Sequence, residues 1–171
     1  MWFRIIADVP EATLYLKARV LGDPAVRQRV LDFAATRGIE ARRLRLEEWR
    51  PQETHLASYG QIDLALDPFP YNGTTTTCEA LVMGIPVICL RGTSHRARVG
   101  ASILTQIGRP EWIAESPEDY RAIARELAGR VVDLRIQRVA LRKQVLASPL
   151  CDASGFANRF LAVLAQTSQR R

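Results

Sequence analysis

The stretch DPFPYNGTTTTCEAL, residues 67–81, decides the fold that this sequence predicts. It follows the apolar run 62–66, which is typical of a strand, and it leads into a helix that ends at Gly84. A turn between a strand and a helix leaves backbone N–H groups unpaired at the positive end of the helix dipole. Such a turn favours an anion, and threonine hydroxyls add donors without bulk. The stretch therefore predicts a phosphate-binding turn, which we call the motif turn.

Strands and helices alternate on both sides of the motif turn. Strands are predicted over residues 13–17, 43–46, 62–66, 87–90 and 112–114. Helices are predicted over residues 24–36, 51–59, 75–83 and 95–107, from 117 onward, and throughout the region after 133, with a restart near 152. This alternation with short loops predicts an α/β fold, a doubly wound parallel sheet. Ligands of such sheets bind beyond the carboxyl ends of the strands, which is where the motif turn falls.

Composition narrows the class of protein. The 171 residues and their 47% apolar content are enough for one domain with a core. The net charge of +6 comes without a basic patch interleaved with aromatic residues, which favours a solvated surface over nucleic-acid binding. The three cysteines are odd in number and lack metal-ligand spacing, which favours reduced thiols in a cytoplasmic chain. No signal peptide and no membrane span is predicted.

The motif turn and several residues outside it resemble one family. The likeness is carried by His55, 67–70, 72–79, 84–87, 98–102, Tyr120 and 148–150. In this order these residues resemble the O-GlcNAc transferase family, including the bacterial SPINDLY-like proteins, over nearly the whole chain. Those proteins are similar to GT-B glycosyltransferases, in which two Rossmann-like domains face each other and the second binds the UDP part of a nucleotide sugar.

The chain resembles the second, UDP-sugar-binding half of such an enzyme. Residues 1–130 are expected to form its Rossmann-like domain, and residues 131–171 to form C-terminal helices that pack on the same domain. The likeness implies transfer of N-acetylglucosamine from UDP to Ser or Thr hydroxyls of proteins, with no metal and no other cofactor. It also implies partners in the full enzyme: a first catalytic domain, and upstream repeats that select the protein acceptor.

The resemblance also predicts what this chain lacks. In the family a strand and loop precede the helix to which residues 1–9 belong, and that segment carries a lysine that neutralises the diphosphate. We therefore expect the catalytic residues mostly upstream, and an inactive chain when it is alone. By analogy with the strand order 3-2-1-4-5-6, the preceding strand is central, which predicts a gap beside residues 13–17 or a sheet that has closed over it.

Eight residues are candidates for contacts with the nucleotide sugar. They are His55, Asn72, Gly73, Thr74, Thr75, Thr76, Glu79 and Arg98. In the family the histidine contacts the nucleotide and its phosphates, and an acid in the place of Glu79 holds the ribose hydroxyls. Ordinary structural roles are the alternatives: a surface or core histidine, helix-capping threonines, a first-turn acid and, for Arg98, an ion pair with a neighbouring helix.

Two other functions stay open at this point. A non-catalytic binding or interaction module would keep the Rossmann core and bind UDP without transfer, even when a first domain is supplied. An epimerase-like enzyme would use a nucleotide-bound substrate on a single doubly wound domain. The second is disfavoured because no Gly-x-Gly-x-x-Gly follows the first predicted strand.

Overall fold

Strands and helices alternate in the computed structural model, which describes residues 1–49 and 51–168. The strands are β1 Leu14–Lys17, β2 Leu44–Glu47, β3 Ala65–Leu66, β4 Val87–Leu90 and β5 Ile113–Ala114. The helices are α1 Trp2–Asp8, α2 Pro24–Ala35, α3 Gln52–Ser58, α4 Thr75–Val82, α5 Val99–Gln106, α6 Pro117–Ala128, α7 Val131–Leu146 and α8 Ala153–Ser168. Short 3-10 turns cover Arg19–Gly22, Ala41–Arg43, Tyr59–Gln61, His95–Ala97 and Pro110–Trp112.

All strand pairs are parallel, as an α/β fold requires. One sheet pairs β1 with β2, and a second has the order β3-β4-β5. In the second sheet β4 is central, and all four of its residues are buried, as its uninterrupted apolar sequence predicts. The predicted α/β fold with parallel strands is therefore confirmed.

A cavity of about 690 Å³ separates the two sheets. It is lined by Leu14 and Leu16 of β1, by residues 62–66 around β3, and by α1, α6 and α7. Here β3 is shorter than the predicted strand 62–66, because only Ala65 and Leu66 pair with β4 and the other side of this segment faces the cavity. The gap that was expected beside the first strand is present.

The core is divided into two clusters, one for each sheet. The larger cluster of buried side chains surrounds β4 and the inner faces of α4, α5, α6 and α7. A smaller cluster, formed by Ile6, Leu14, Ala34 and Ile39, lies under β1 and β2. Trp2 and Leu66 pack against both clusters and so connect the two sheets around the cavity.

Local signals set the ends of three helices. Asp23 caps α2 by accepting from the N–H of Ala25 at 2.8 Å, and Ser116 caps α6 by accepting from the N–H of Asp119 at 3.0 Å. Gly84, at φ +73°, ends α4 where a Cβ would lie 2.4 Å from the carbonyl oxygen of Arg138 in α7. This close approach lets α7 pack directly on the end of α4.

The predicted helix 95–107 is divided. Residues His95–Ala97 form a 3-10 turn, and α5 begins only at Val99, because Arg98 departs from helical geometry at φ −121° and ψ −6°.

The two C-terminal helices, α7 and α8, differ in burial. Leu134, Leu141 and Val145 of α7 are buried, whereas residues 153–167 of α8 are exposed apart from the half-buried Gly155.

The domain boundary at residue 130 stays a prediction. Among the described residues no helix is long and apolar enough to cross a membrane.

The gap makes a prediction for amide hydrogen exchange. The amides of β4 are flanked by strands on both sides, whereas β1, among residues 1–49 and 51–168, pairs only with β2. We expect β4 amides to exchange more than about a hundredfold more slowly than those β1 amides that face the cavity, since unpaired edges open at little cost. The β1 amides that point towards β2 are the internal control. Equal protection on both sides of β1 would mean that the two sheets join in solution.

Candidate functional site

The motif turn is fixed by one buried carboxylate. Asp67 follows β3 and is only 3% exposed. Its Oδ1 accepts the backbone N–H of Gly73 at 2.8 Å and the hydroxyl of Thr77 at 3.0 Å. Its backbone carbonyl accepts the hydroxyl of Tyr120 at 3.0 Å. These bonds fold the loop back onto the end of the strand and set where α4 begins.

The inside of the turn has no spare space. A Cβ on Gly73 would lie 2.6 Å from the hydroxyl of Thr76 and 2.8 Å from that of Thr77. Asn72 is 1% exposed; its amide nitrogen donates to the carbonyl of Pro68 at 3.1 Å, and its amide oxygen accepts the N–H of Gly100 at 3.3 Å. Asn72 and Gly73, both candidates for contacts with the ligand, therefore build the turn from within.

The three threonines at the start of α4 reach the solvent, although the hydroxyl of Thr76 also lies beside Gly73. Thr74, Thr75 and Thr76 are exposed, and Thr74, at the N-cap, makes no side-chain capping hydrogen bond within the described chain. The first helical bond runs from the N–H of Cys78 to the carbonyl of Thr74 at 3.0 Å, so the N–H groups before Cys78 have no place in the helical ladder. The Asp67 bonds thus present hydroxyls and a positive helix end to the solvent.

Beside this helix end, three side chains from different elements form a row that we call the Lys17–His55–Glu79 row. Lys17 ends β1, His55 lies on α3 and Glu79 lies on α4. The Lys17 Nζ is 2.9 Å from His55 Nδ1, and His55 Nε2 is 3.1 Å from Glu79 Oε2. The His55 and Glu79 side chains are 24% and 19% exposed, so the row is accessible but partly shielded from water.

Helix α3 is held against α4 by Tyr59. Its hydroxyl donates to the carbonyl of Thr76 at 3.2 Å, and its ring lies 5.3 Å from the ring of His55. Burial raises the pKa of Tyr59 to about 12, so the phenol stays protonated and keeps its donor at neutral pH. Tyr59 therefore connects His55 to the start of α4.

Lys17 is the residue that the sequence analysis missed. The resemblance places the diphosphate-neutralising lysine upstream of this chain, and among the basic residues within the chain it makes only His55 and Arg98 candidates for contacts with the ligand. Two signals were available: the sequence holds only two lysines against 22 arginines, and Lys17 is the last residue of a predicted strand. Because the carboxyl ends of parallel strands share one edge, that position faces the ligand side of the sheet.

Arg98 stands apart from the row. It is exposed at the start of α5, and its Nε donates to the carbonyl of Gly92 at 3.1 Å. In the described part of the chain it forms no salt bridge, so the alternative role as an ion-pair partner of a neighbouring helix is not seen. Its contact with a ligand stays a prediction.

The described residues, 1–49 and 51–168, contain no group of three or more His, Cys, Asp and Glu side chains that could hold a metal ion. The metal-free site that the resemblance implies stays a prediction. Within it the groups that can meet an anion are backbone N–H groups, hydroxyls and the basic side chains.

Burial raises the pKa of Asp67 to about 6, although its bonds from Gly73 and Thr77 act in the opposite direction. Its second oxygen, Oδ2, is buried without a hydrogen-bond partner in the described structure and would lie 2.5 Å from a Cβ on Gly100. The folded chain thus holds the Asp67 proton more tightly than the unfolded chain, whose aspartate pKa is about 3.9. The stability contributed by this proton is complete below pH ~4 and is lost as the pH rises through about 6.

This pH dependence of the stability gives a testable prediction for Asp67→Asn, which keeps an oxygen for Gly73 and Thr77 but cannot ionise. When the pH is raised from 4 to 7.5, the free energy of unfolding of the variant should increase by roughly 2 to 3 kcal/mol relative to that of the natural chain. Denaturant unfolding at both pH values measures the difference. Asp32→Asn, at an exposed position of α2, is the control and should show no such gain. Parallel pH profiles for Asp67→Asn and the natural chain would contradict the assignment.

This chain is similar to known proteins over most of its length. The model of glycosyl transferase family 41 matches residues 1–160. The probable UDP-N-acetylglucosamine--peptide N-acetylglucosaminyltransferase SPINDLY of Petunia hybrida is 38% identical over 157 residues, which are 91% of this chain and 17% of that protein. The UDP-N-acetylglucosamine--peptide N-acetylglucosaminyltransferase of Caenorhabditis elegans is 26% identical over 99% of this chain and 14% of its own length.

A solved structure gives the same result. A mutant of the Thermobaculum terrenum O-GlcNAc transferase matches with a TM-score of 0.78 and 36% identity, over 85% of this chain and 29% of the other. The chain thus spans only 17% and 14% of the length of the two curated relatives. With the parallel sheets, the motif turn and a family match over residues 1–160, the chain belongs to glycosyl transferase family 41.

Proposed function

We propose that this chain is the UDP-sugar-binding half of a glycosyltransferase that transfers N-acetylglucosamine to Ser or Thr hydroxyls of proteins. The observation that carries the proposal is the motif turn, in which Asp67 presents three exposed threonines and the α4 N-terminus beside the Lys17–His55–Glu79 row. The printed names of the relatives, which are UDP-N-acetylglucosamine--peptide N-acetylglucosaminyltransferases, support the choice of donor and acceptor.

The diphosphate of the donor fits the N-terminal end of α4. A diphosphate needs several donors and positive potential, and both are supplied by the N–H groups of the first helical turn and by the hydroxyls of Thr74, Thr75 and Thr76. In the transfer step negative charge builds up on the departing UDP. The same fixed dipoles then stabilise the leaving group without reorganisation, which is electrostatic catalysis.

Glu79 is suited to the sugar attached to the diphosphate. A carboxylate accepts hydrogen bonds from two neighbouring hydroxyls, as a ribose presents them. Glu79 lies one turn beyond the exposed threonines on α4, and side chains on a helix lean towards its N-terminus, so its carboxylate is on the side of the phosphates. We assign it to the ribose and assign Thr74, Thr75 and Thr76 to the diphosphate.

Turnover needs more than this chain. In the proposal a first domain closes the cleft and supplies most catalytic groups, and upstream repeats bring the protein acceptor. This division is supported by the small share of the relatives' length that the chain spans, 17% for the Petunia hybrida protein and 14% for the Caenorhabditis elegans protein. The chain by itself is expected to bind UDP and to transfer no sugar.

Calorimetric titration with UDP tests the proposal on the isolated chain. The double variant Thr75→Ala, Glu79→Ala should bind UDP at least about tenfold more weakly, because two hydrogen-bonding groups to the ligand are lost. The matched control is Thr36→Ala, Glu40→Ala, at exposed positions beyond the end of α2, and should bind as the natural chain does. Equal affinity of the two double variants, or no binding by a folded natural chain, would contradict the proposed site.

A further inference from the structure

The Lys17–His55–Glu79 row has a fixed order of donors and acceptors. A lysine ammonium has donors and no acceptor, so His55 Nδ1, 2.9 Å from Lys17 Nζ, must accept. A neutral imidazole that accepts at Nδ1 carries its proton on Nε2. That nitrogen is 3.1 Å from Glu79 Oε2 and therefore donates to the carboxylate. Lys17 thus determines which ring nitrogen of His55 holds the proton.

The histidine is also held in place. The hydroxyl of Ser58 donates to the carbonyl of His55 at 2.5 Å, and the Tyr59 ring lies beside the imidazole at a centroid distance of 5.3 Å. The three members of the row come from β1, α3 and α4, and 38 and 24 positions separate the bonded pairs in sequence. A contact made by three elements that meet at one end of the sheet is set by the fold rather than by local sequence.

We propose that Lys17 is a positioning residue of the nucleotide-sugar site: its ammonium holds His55 in the tautomer that donates from Nε2 to Glu79, and so aims the Glu79 carboxylate at the hydroxyls of the ligand. This inference rests on the proposed function for the identity of the ligand. The tautomer of His55 is independent of the proposed function, because it is a property of the chain without ligand. Lys17 acts on the nucleotide sugar through His55.

The first test reads the tautomer directly from the ¹⁵N spectrum of the imidazole. The chain has only two histidines, so a His95→Gln variant identifies the His55 signals. The natural chain should show Nε2 protonated and Nδ1 bare. In Lys17→Met the bare Nδ1 loses its donor, and the spectrum should change to a mixture of tautomers or to the other one. Lys17→Arg, which also offers only donors, should restore the natural spectrum.

The control is Lys143→Met, which removes the only other lysine from an exposed position of α7 and should leave the His55 signals unchanged. A natural chain with its proton on Nδ1, or a Lys17→Met variant with an unchanged His55 tautomer, would overturn the proposal. Neither reading depends on UDP.

The second test is a double-mutant cycle on UDP affinity. Lys17→Met should weaken UDP binding about threefold to tenfold, the loss expected when a single hydrogen bond is removed. In a His55→Phe background the same substitution should have no further effect, because its path to Glu79 is gone. An equal loss in both backgrounds would mean that Lys17 acts independently of His55, which contradicts the proposal. If the natural chain binds no UDP, the proposed function fails, and the ¹⁵N spectra still decide whether Lys17 sets the tautomer.

Discussion

The two hydrogen bonds to Asp67 Oδ1 are the constraint on which the site depends. They join the end of β3 to the N–H of Gly73 and to the hydroxyl of Thr77, and so fix the turn and the first residues of α4 together. Tyr120 of α6 holds the same residue through its backbone carbonyl. Because Gly100 of α5 has no Cβ, that helix can pack against the free oxygen of Asp67. One buried acid thus aligns a strand and three helices.

The buried position of Asp67 also destabilises the fold. A buried carboxylate with one unsatisfied oxygen is destabilising, which is why its pKa rises. The chain retains it at the point where a helix end must be presented to solvent with its donors unpaired. Unpaired donors of this kind favour the binding of a ligand, but they are unfavourable for the fold when no ligand is bound. The unsatisfied oxygen therefore lies inside the turn, on Asp67, while Thr74, Thr75 and Thr76 remain accessible.

Much of the fold could be predicted because its signals are local. The caps at Asp23 and Ser116, the buried strand β4 and the turn after β3 each follow from a few neighbouring residues. Features that depend on distant partners could not be predicted in this way. The length of β3 is set by what lies on either side of it, and the break at Arg98 is set by how the loop after β4 packs. The Lys17–His55–Glu79 row joins residues far apart in sequence, so the resemblance supplied two members and not the lysine.

In the proposed function, the turn held by Asp67 is the anion-binding end of a nucleotide-sugar site. Amide chemical-shift mapping during addition of UDP tests it most directly, because it reports on every N–H at once. We expect the largest shifts in residues 73–77, with smaller ones at His55 and none in α8. Shifts centred on the residues that line the cavity between β1 and β3, or none in residues 73–77 at saturating UDP, would contradict it.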